Sequence, residues 1–318
     1  MASPFIKWLA RIGVFAVLLV LTVPVNAQTG SRKPVDTAWP MYQHDPQHTG
    51  RSPFQAPLDQ PEVLWTEDFP EAGYSNDSEI VITEDGNLLI SIGGYLINYD
   101  PIHRQTRWEL QVGESGGTPL LSQDGTFYIG AGTDLMQIST DDGNIIWQQM
   151  LVGNYYFRSS PTFGTDGNLY VQNAGIWSIT PEGELNWYIP DDFMGPAESL
   201  AVGLDGSIYA SDMTSLKFCA YTSAGTISWC NNTPETLFTP ASIGADGTIY
   251  IRQIDELYRG SIMALNPDGT LAWEYWIPEA NSYNLDLPVA IAPDGSLYIY
   301  VGTFDADSYI YALDKNGS

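Results

Sequence analysis

The segment TFGTDGNLYVQ (162–172) decides the fold, because close copies of its Asp-Gly core occur six times along the 318-residue chain. Asp-Gly ahead of an alternating β-branched and aromatic run predicts a hairpin, since glycine accepts the positive φ that the turn requires. The copies lie 39 to 48 residues apart, which indicates a repeat protein. They are EDGNLLI (84–90), QDGTFYI (123–129), TDGNLYV (165–171), LDGSIYA (204–210), ADGTIYI (245–251) and PDGSLYI (293–299).

A second motif repeats in step with the first and ends in tryptophan. Four of its five copies read Gly-x-x-x-Trp, and a segment such as ALNPDGTLAW (264–273) places Pro and Gly where a tight turn needs them. Each unit therefore contains two hairpins, or four short strands, and no part of the propeller region shows a helical period. The tryptophans are Trp108, Trp147, Trp187, Trp229 and Trp273.

Repeated four-stranded units of about 40 residues are typical of a β-propeller, in which neighbouring blades bury one another. We predict an all-β, six-bladed β-propeller of four-stranded antiparallel blades. The last copy stops at the turn before its Trp strand, whereas EVLWTEDF (62–69) carries Trp65 without an Asp-Gly hairpin before it. We expect this N-terminal strand to complete the last blade and close the ring. The alternative is that the chain is part of a longer propeller.

The N-terminus differs from the rest of the chain. Lys7 and Arg11 precede or border an apolar run from Ile12 to Val23, and small residues follow, which is typical of a secretory signal peptide cleaved after Ala27. The predicted domains are the signal peptide (1–27), a lead-in segment (28–61) and the propeller (62–318). We expect a secreted or periplasmic protein with no membrane span after cleavage; the alternative is an uncleaved anchor.

The charge of the chain restricts its partners. Asp and Glu number 38 against 12 Lys and Arg, giving a net charge of −26. Such a surface repels phosphate backbones and anionic lipid, so nucleic acid is excluded as a partner. We expect a protein or glycan ligand and a monomer.

The unit SSPTFGTDGNLYVQNAGIWSITPEGELNW (159–187) and the segment WPMYQHDPQHTGRSP (39–53) resemble the PQQ-like β-propeller repeat family. That family includes quinoprotein alcohol dehydrogenases and the propeller lipoprotein of the outer-membrane barrel-assembly machine. The enzymatic members hold their quinone with a stacking Trp and a disulfide between adjacent cysteines, and bind calcium near a catalytic Asp. No position here matches those ligands, so we expect no cofactor; PQQ and calcium are the alternatives.

The only two cysteines, Cys219 and Cys230, flank the hairpin CAYTSAGTISWC. A two-residue turn at Ala224-Gly225 would place them opposite each other and allow a disulfide in an oxidising compartment. A turn with a bulged Gly225 would slip the register, so that Cys219 faces Trp229 and the cysteines point to opposite faces. Both alternatives stay open from the sequence.

Two groups of side chains have the composition of metal ligands. One is His44, Asp45 and His48 in the lead-in, which we expect to pack across the propeller without a metal. The other is the ring of Asp-Gly aspartates, which turn chemistry explains without a ligand. No metal is therefore expected at Asp85, Asp124, Asp166, Asp205, Asp246 or Asp294.

The links between blades, on the face opposite the Asp-Gly turns, are long and combine aromatic with acidic residues. A rigid frame with variable aromatic loops is a common way to build a recognition surface. Arg158 is the only basic residue in these links; it could clamp a ligand carboxylate or neutralise a nearby acid. The candidate binding residues are Tyr74, Tyr155, Tyr156, Phe157, Arg158, Asp191, Asp192, Phe193, Phe238, Trp276 and Tyr283. The alternative is that the aromatics only fill gaps between blades.

Catalytic constellations are absent from the sequence: it has no Ser-His-Asp spacing, nucleophile elbow or phosphate loop. We therefore expect a non-catalytic exported propeller that serves as a protein-interaction or envelope-assembly scaffold and binds through the aromatic loops of one face. One alternative is a carbohydrate- or small-ligand-binding module at the channel mouth. The other is a degenerate PQQ-dependent oxidoreductase.

Overall fold

Six antiparallel sheets follow one another along the chain, each built around one Asp-Gly turn. In this computed structural model every regular element of the described residues is a β-strand, which confirms the predicted all-β class. Residues 31–318 form one compact unit. The structure describes residues 33–54, 62–69, 79–113, 117–151, 157, 159–190, 199–212, 217–232, 236–237, 240–254, 259–277, 288–302 and 308–318.

The first three sheets have four strands each, in chain order across the sheet. The first sheet contains β1 (Glu79–Ile82), β2 (Leu88–Ile92), β3 (Tyr95–Asp100) and β4 (Gln105–Gln111). The second contains β5 (Leu120–Leu121), β6 (Thr126–Ala131), β7 (Asp134–Ser139) and β8 (Ile145–Met150). The third contains β9 (Thr162–Phe163), β10 (Leu169–Gln172), β11 (Gly175–Ile179) and β12 (Leu185–Pro190).

The last three sheets follow the same plan with two differences. In the fifth sheet the innermost position is divided between two short strands that both pair with β19, and the sixth sheet has three strands. The fourth sheet contains β13 (Ala201–Val202), β14 (Ile208–Asp212), β15 (Lys217–Tyr221) and β16 (Ile227–Asn232). The fifth contains β17 (Thr236–Leu237), β18 (Ser242–Ile243), β19 (Ile249–Ile254), β20 (Gly260–Leu265) and β21 (Leu271–Trp276). The sixth contains β22 (Ala290–Ile291), β23 (Leu297–Gly302) and β24 (Ser308–Leu313).

Apolar side chains fill the space between consecutive sheets. One core cluster joins the second and third sheets through Tyr128, Leu135 and Phe163, and comparable clusters join the other consecutive pairs from the first sheet to the sixth. The short first strands are mostly buried, whereas the fourth strands alternate between exposed and half-buried residues. The core therefore lies between the sheets, as the repeat pattern requires.

The repeated tryptophans join each sheet to the next. The indole N–H of Trp229 donates to the carbonyl oxygen of Pro267 at 2.9 Å, and its ring lies flat against Gly269. Both residues belong to the turn between the third and fourth strands of the following sheet. A Cβ on Gly269 would lie 2.6 Å from the ring, so only glycine fits beneath it. The same two contacts occur between Trp108 and Gly143, Trp147 and Gly183, Trp187 and Gly225, and Trp273 and Gly317.

The lead-in segment crosses the Asp-Gly end of the sheets and bonds to the first strands of five of them. Backbone N–H groups three residues before each Asp donate to lead-in carbonyls at 2.8 to 3.0 Å. Met41 is fully buried in the core beside Leu120 and Phe163. The bonded pairs are Ile82 with Trp39, Leu121 with Pro40, Val202 with Pro46, Ile243 with Gln47, and Ile291 with Thr49. The expectation that this segment packs across the propeller is confirmed.

The predicted completion of the last sheet by residues 62–69 is not seen. These residues form no strand, and among the described pairings β24 pairs with β23 alone. Trp65 lies instead against the first sheet, 6.0 Å from the ring of Tyr99 and 5.7 Å from the guanidinium of Arg104. Side-chain contacts with the first sheet therefore hold this segment, and within the described ranges no residue pairs with the outer side of β24.

Candidate functional site

The two ends of the sheets differ in accessibility. The lead-in covers the Asp-Gly end, where its carbonyls accept hydrogen bonds from the first strands of five sheets. The opposite end, which we call the loop face, carries the links between the sheets and the β2–β3-type turns.

Nine of the eleven predicted binding residues lie outside the described residues, so their mutual arrangement stays a prediction. Whether Arg158 approaches a ligand carboxylate or an acidic neighbour stays a prediction with them. The nine are Tyr74, Tyr155, Tyr156, Arg158, Asp191, Asp192, Phe193, Phe238 and Tyr283. The remaining two, Phe157 and Trp276, have different surroundings.

Phe157 is buried, so its predicted place on a binding surface is wrong. Its ring lies where a side chain on Gly130 would be: a Cβ there would come within 2.1 Å of the ring. The backbone N–H of Phe157 also donates to the carbonyl of Gly132 at 2.8 Å. This aromatic fills the gap that a glycine leaves between the second and third sheets.

Trp276 ends β21 on the loop face and is 44% exposed. The guanidinium of Arg259 lies 5.3 Å from its ring centroid, a cation–π contact that fixes the ring against the fifth sheet. An exposed indole held by a cation presents a rigid apolar surface with little entropy left to lose on binding. Trp276 is thus the described candidate residue that has the exposure a binding role needs.

A partly buried polar network supports the same strand. The carboxylate Oε1 of Glu274 accepts hydrogen bonds from the Gln253 amide and the Ser261 hydroxyl, both at 2.8 Å. The Gln253 amide also donates to the Ser261 hydroxyl oxygen at 3.0 Å. These bonds join three adjacent strands near Trp276, so the frame beneath the indole is rigid.

Arg252, towards the loop face, was not among the candidate residues predicted from the sequence. It is fully buried between the fifth and sixth sheets, where its guanidinium donates to the carbonyl of Tyr300 at 3.2 Å. The residue six positions after each Asp-Gly aspartate is neutral in every other copy, so a comparison of the repeats would have found this charge. The equivalent residues are Ser91, Gly130, Gln172, Ser211 and Tyr300.

The two histidines of the lead-in lie against other groups of the protein. His48 is fully buried, its Nδ1 lies 3.2 Å from the Ala241 carbonyl, and burial lowers its pKa to about 4. Asp45 accepts hydrogen bonds from the backbone N–H and the hydroxyl of Thr49, and His44 Nδ1 lies 3.8 Å from its carboxylate. Among the described residues no three His, Cys, Asp or Glu side chains come together as metal ligands.

The Asp-Gly aspartates act within their own turns. Asp246 and Asp294 each accept a hydrogen bond from the backbone N–H two residues further on, at 3.0 and 2.9 Å. These backbone bonds lower the pKa of both carboxyl groups. Asp85 in addition pairs with Arg107 at 3.0 Å. The turn geometry accounts for the conserved spacing of these residues along the repeats without a bound ion.

Cys219 and Cys230 lie directly opposite each other on β15 and β16 and form a disulfide, with Cα atoms 4.1 Å apart. The turn between them is the bulged kind with Gly225 at positive φ. A second bulge, at Ser228, shifts the register by one residue between Tyr221 and Ala220 and so brings the cysteines together. The prediction that a bulged turn would separate them missed this second shift.

The quinone ligands of the enzymatic PQQ-like proteins do not fit the described residues. Cys219 and Cys230 are not neighbours in sequence and lie on the outer half of the fourth sheet. No described acidic cluster could hold calcium beside a quinone. We therefore derive no reaction step for this chain.

The comparisons with known proteins agree with this architecture. The family model described as outer membrane protein assembly factor BamB matches residues 56–187, and no curated protein matches the chain. Among solved structures, BamB from Moraxella catarrhalis is 16% identical with a TM-score of 0.54, over 73% of this chain and 70% of that one.

Two enzymes have similar folds. Virginiamycin B lyase from Staphylococcus aureus is 15% identical with a TM-score of 0.52, over 73% of this chain and 83% of its own. A europium-containing methanol dehydrogenase is 10% identical with a TM-score of 0.63, over 89% and 74%. At such identities the likeness shows the fold alone. The matched family model covers part of the chain, and the solved structures share its fold; the chain is similar to PQQ-like β-propeller proteins over these regions.

Proposed function

We propose that this protein is a non-catalytic six-bladed propeller that binds a protein partner through its loop face. The observation that carries the proposal is Trp276, an exposed indole on a rigid strand, with the Arg259 guanidinium against its ring. Binding energy at protein interfaces is concentrated in aromatic and arginine residues held in this way. The lead-in bonds to the first strands at the other end of the sheets, and we therefore assign partner binding to the loop face.

The family match over residues 56–187 supports a scaffold or assembly role, because the matching model is described as an outer membrane protein assembly factor. The propeller also supports it mechanically: each sheet is joined to the next by an indole hydrogen bond and an apolar core, which gives loops a stiff base. The lyase and dehydrogenase likenesses carry no activity to this chain, since its described residues lack a catalytic constellation.

We place the protein outside the cytoplasm. The Cys219–Cys230 disulfide favours an oxidising compartment, and the BamB-like family match suggests the cell envelope. None of the described residues belongs to a helix of the length and hydropathy that crossing a bilayer requires. We further propose that the free protein is a monomer, which size-exclusion chromatography with light scattering would test.

A site-specific photo-crosslinker tests the proposed face. We would place p-benzoylphenylalanine at Trp276 and, as a matched control, at Leu204, an exposed residue of an Asp-Gly turn. We expect discrete cross-linked proteins from the Trp276 position in intact cells and none from Leu204. Equal cross-linking from both positions, or saturable binding of the purified protein to a glycan array that Trp276→Ala abolishes, would contradict a protein-binding role.

A further inference from the structure

A cavity of about 260 Å³ lies at the Asp-Gly end, beside the path of the lead-in from the fifth sheet to the sixth. The backbone N–H groups of Ile243 and Ile291 donate to lead-in carbonyls, so the lead-in is held as one wall of the cavity. Ile243, Ile291 and Tyr250 supply apolar lining and are only 2 to 5% exposed. The fold therefore fixes the walls of this cavity, at the end of the sheets opposite the loop face.

A small residue in the fifth copy of the repeat leaves space for the cavity. Ala245 precedes the aspartate of the Asp-Gly turn and lines the cavity. Every other copy has a larger residue at this position: Glu84, Gln123, Thr165, Leu204 and Pro293. The turn accommodates larger side chains, so the open space beside Ala245 is a property of this copy rather than a requirement of the fold.

Side chains of both charges line the cavity. The cations are Arg51 of the lead-in and Lys315 in the turn after β24, and the carboxylates are those of Asp45, Asp246 and Asp294. No salt bridge joins these five described residues to one another. The cavity therefore contains separate positive and negative groups that a bound molecule could contact at the same time.

The charged groups are held in place by the protein itself. Oδ1 of Asp246 and Oδ1 of Asp294 each accept a hydrogen bond from a backbone N–H of the same turn, at 3.0 and 2.9 Å. The stem of Lys315 lies along Gly295, with its Cδ 3.7 Å from the position of an added Cβ. The backbone hydrogen bond from Thr248 and, to a smaller extent, the charge of Lys315 lower the pKa of Asp246, so the cation and this carboxylate act on each other across the cavity.

The charges and the volume select the class of ligand. A simple anion would meet three carboxylates and a simple cation would meet two positive groups, so like charge opposes each of them. A ligand with one charge of each sign is attracted by both sets, and the apolar lining favours a hydrocarbon group. Ligand cavities have volumes of about 300 to 1,000 Å³. This cavity lies near the lower limit and therefore suits a molecule of amino-acid size.

We propose that this cavity binds a free amino acid with an apolar side chain. Arg51 and Lys315 bind the carboxylate of the ligand, and Asp246 and Asp294 bind its ammonium group. The side chain of the ligand packs against the apolar lining around Tyr250. This site goes beyond the proposed protein-binding role and does not depend on it, because it lies at the other end of the sheets.

Isothermal titration calorimetry of the purified protein tests the site with leucine, valine and phenylalanine. We expect saturable binding of at least one of them at a single site, with a Kd of about 1 mM or tighter. The N-acetyl and carboxamide derivatives of that amino acid each lack one of the two charges. Each derivative should therefore bind more weakly by about tenfold or more.

Variants locate the binding. Ala245→Leu should weaken it by about tenfold or more, because the larger side chain fills the cavity, and should keep the melting temperature, because the fourth copy already has Leu204 there. Its matched control is Gln123→Leu, at the same position of the second copy, which should leave binding unchanged. Arg51→Gln should weaken binding by about tenfold, whereas Lys33→Gln, which removes a lead-in cation outside the cavity, should not.

Three results would overturn the proposal. One is the absence of saturable binding for all three amino acids, and another is equal affinity for the N-acetyl or the carboxamide derivative. Binding that neither Ala245→Leu nor Arg51→Gln weakens would place the ligand elsewhere on the molecule. Trp276→Ala should leave amino-acid binding unchanged, and Ala245→Leu should leave cross-linking from the Trp276 position unchanged, so failure of this site and failure of the loop-face proposal are distinguishable.

Discussion

The contact between each tryptophan and the following turn can be tested at Gly269. The structure places Gly269 at φ +84° with the Trp229 ring 2.6 Å from the position of an added Cβ. Gly86 is a matched control: its φ is +82°, and no atom lies within 4 Å of the added Cβ. The two glycines therefore share a backbone conformation and differ in what lies above them.

The expected losses follow from these contacts. Gly86→Ala should lower the free energy of unfolding by about 1 kcal/mol, the cost of a left-handed residue with a Cβ. Gly269→Ala adds the displacement of the indole, which costs about 1 kcal/mol for the Trp229–Pro267 hydrogen bond and a further 1 to 2 kcal/mol for overpacking. The total for Gly269→Ala is about 3 to 4 kcal/mol.

Urea denaturation followed by far-UV circular dichroism measures both variants, and near-UV spectra report on the indole. The unfolded-state effect of Gly→Ala is the same at the two positions, so it cancels in the comparison. We expect Gly269→Ala to have a lower urea midpoint than Gly86→Ala. This difference should largely disappear when both substitutions are made in a Trp229→Ala background, because the ring is then absent. Equal losses at Gly269 and Gly86 would refute the idea that the docked indole joins the sheets.

Three further outcomes are expected. The buried His48 takes up its proton more readily when unfolded, because its folded pKa is about 4 against an ordinary 6.5; stability should therefore fall from pH 6.5 to pH 4 by up to about 3 kcal/mol, and His48→Gln should show a smaller fall in urea midpoints. Replacing Cys219 by Ala and Cys230 by Ser, or adding dithiothreitol, should cost about 2 to 3 kcal/mol, and the double variant should no longer respond to the reductant. Met41→Ala in the buried lead-in should cost about 3 kcal/mol, whereas Met150→Ala at an exposed strand end should change the melting temperature little.

The repeat made the sheets predictable, because Asp-Gly turns and the Trp positions follow local rules of turn geometry and alternation. The register of the fourth strands was not predictable. In each of the first five sheets, one extra residue of the fourth strand lies just before the tryptophan and forms a β-bulge. The side chains of these five residues share no chemical property that would mark the bulge in the sequence. They are Arg107, Ile146, Asn186, Ser228 and Ala272. The pairing of Cys219 with Cys230 depended on this shift.

The site was less accessible to sequence reasoning because its residues depend on contacts between sheets. The sequence suggests that Phe157 is an aromatic residue of an exposed loop. It is buried because Gly130, on a neighbouring sheet, has no side chain and leaves space for the ring. From its charge and its place in the strand, Arg252 would be expected on an exposed face, but the sixth sheet buries it. Exposure of Trp276 could be expected from its position after the docking tryptophan, since side chains on a strand alternate between faces.

The path of the lead-in has a consequence for biosynthesis. Its residues leave the ribosome first, but Thr49 bonds to Ile291, which is synthesised more than two hundred residues later. Residues 34–51 therefore cannot complete their contacts until Ile291 has been synthesised, so the earlier sheets must wait with this segment partly unbonded. Nascent chains stalled before the sixth sheet should be cleaved by protease within the segment, while chains that include Ile291 should resist.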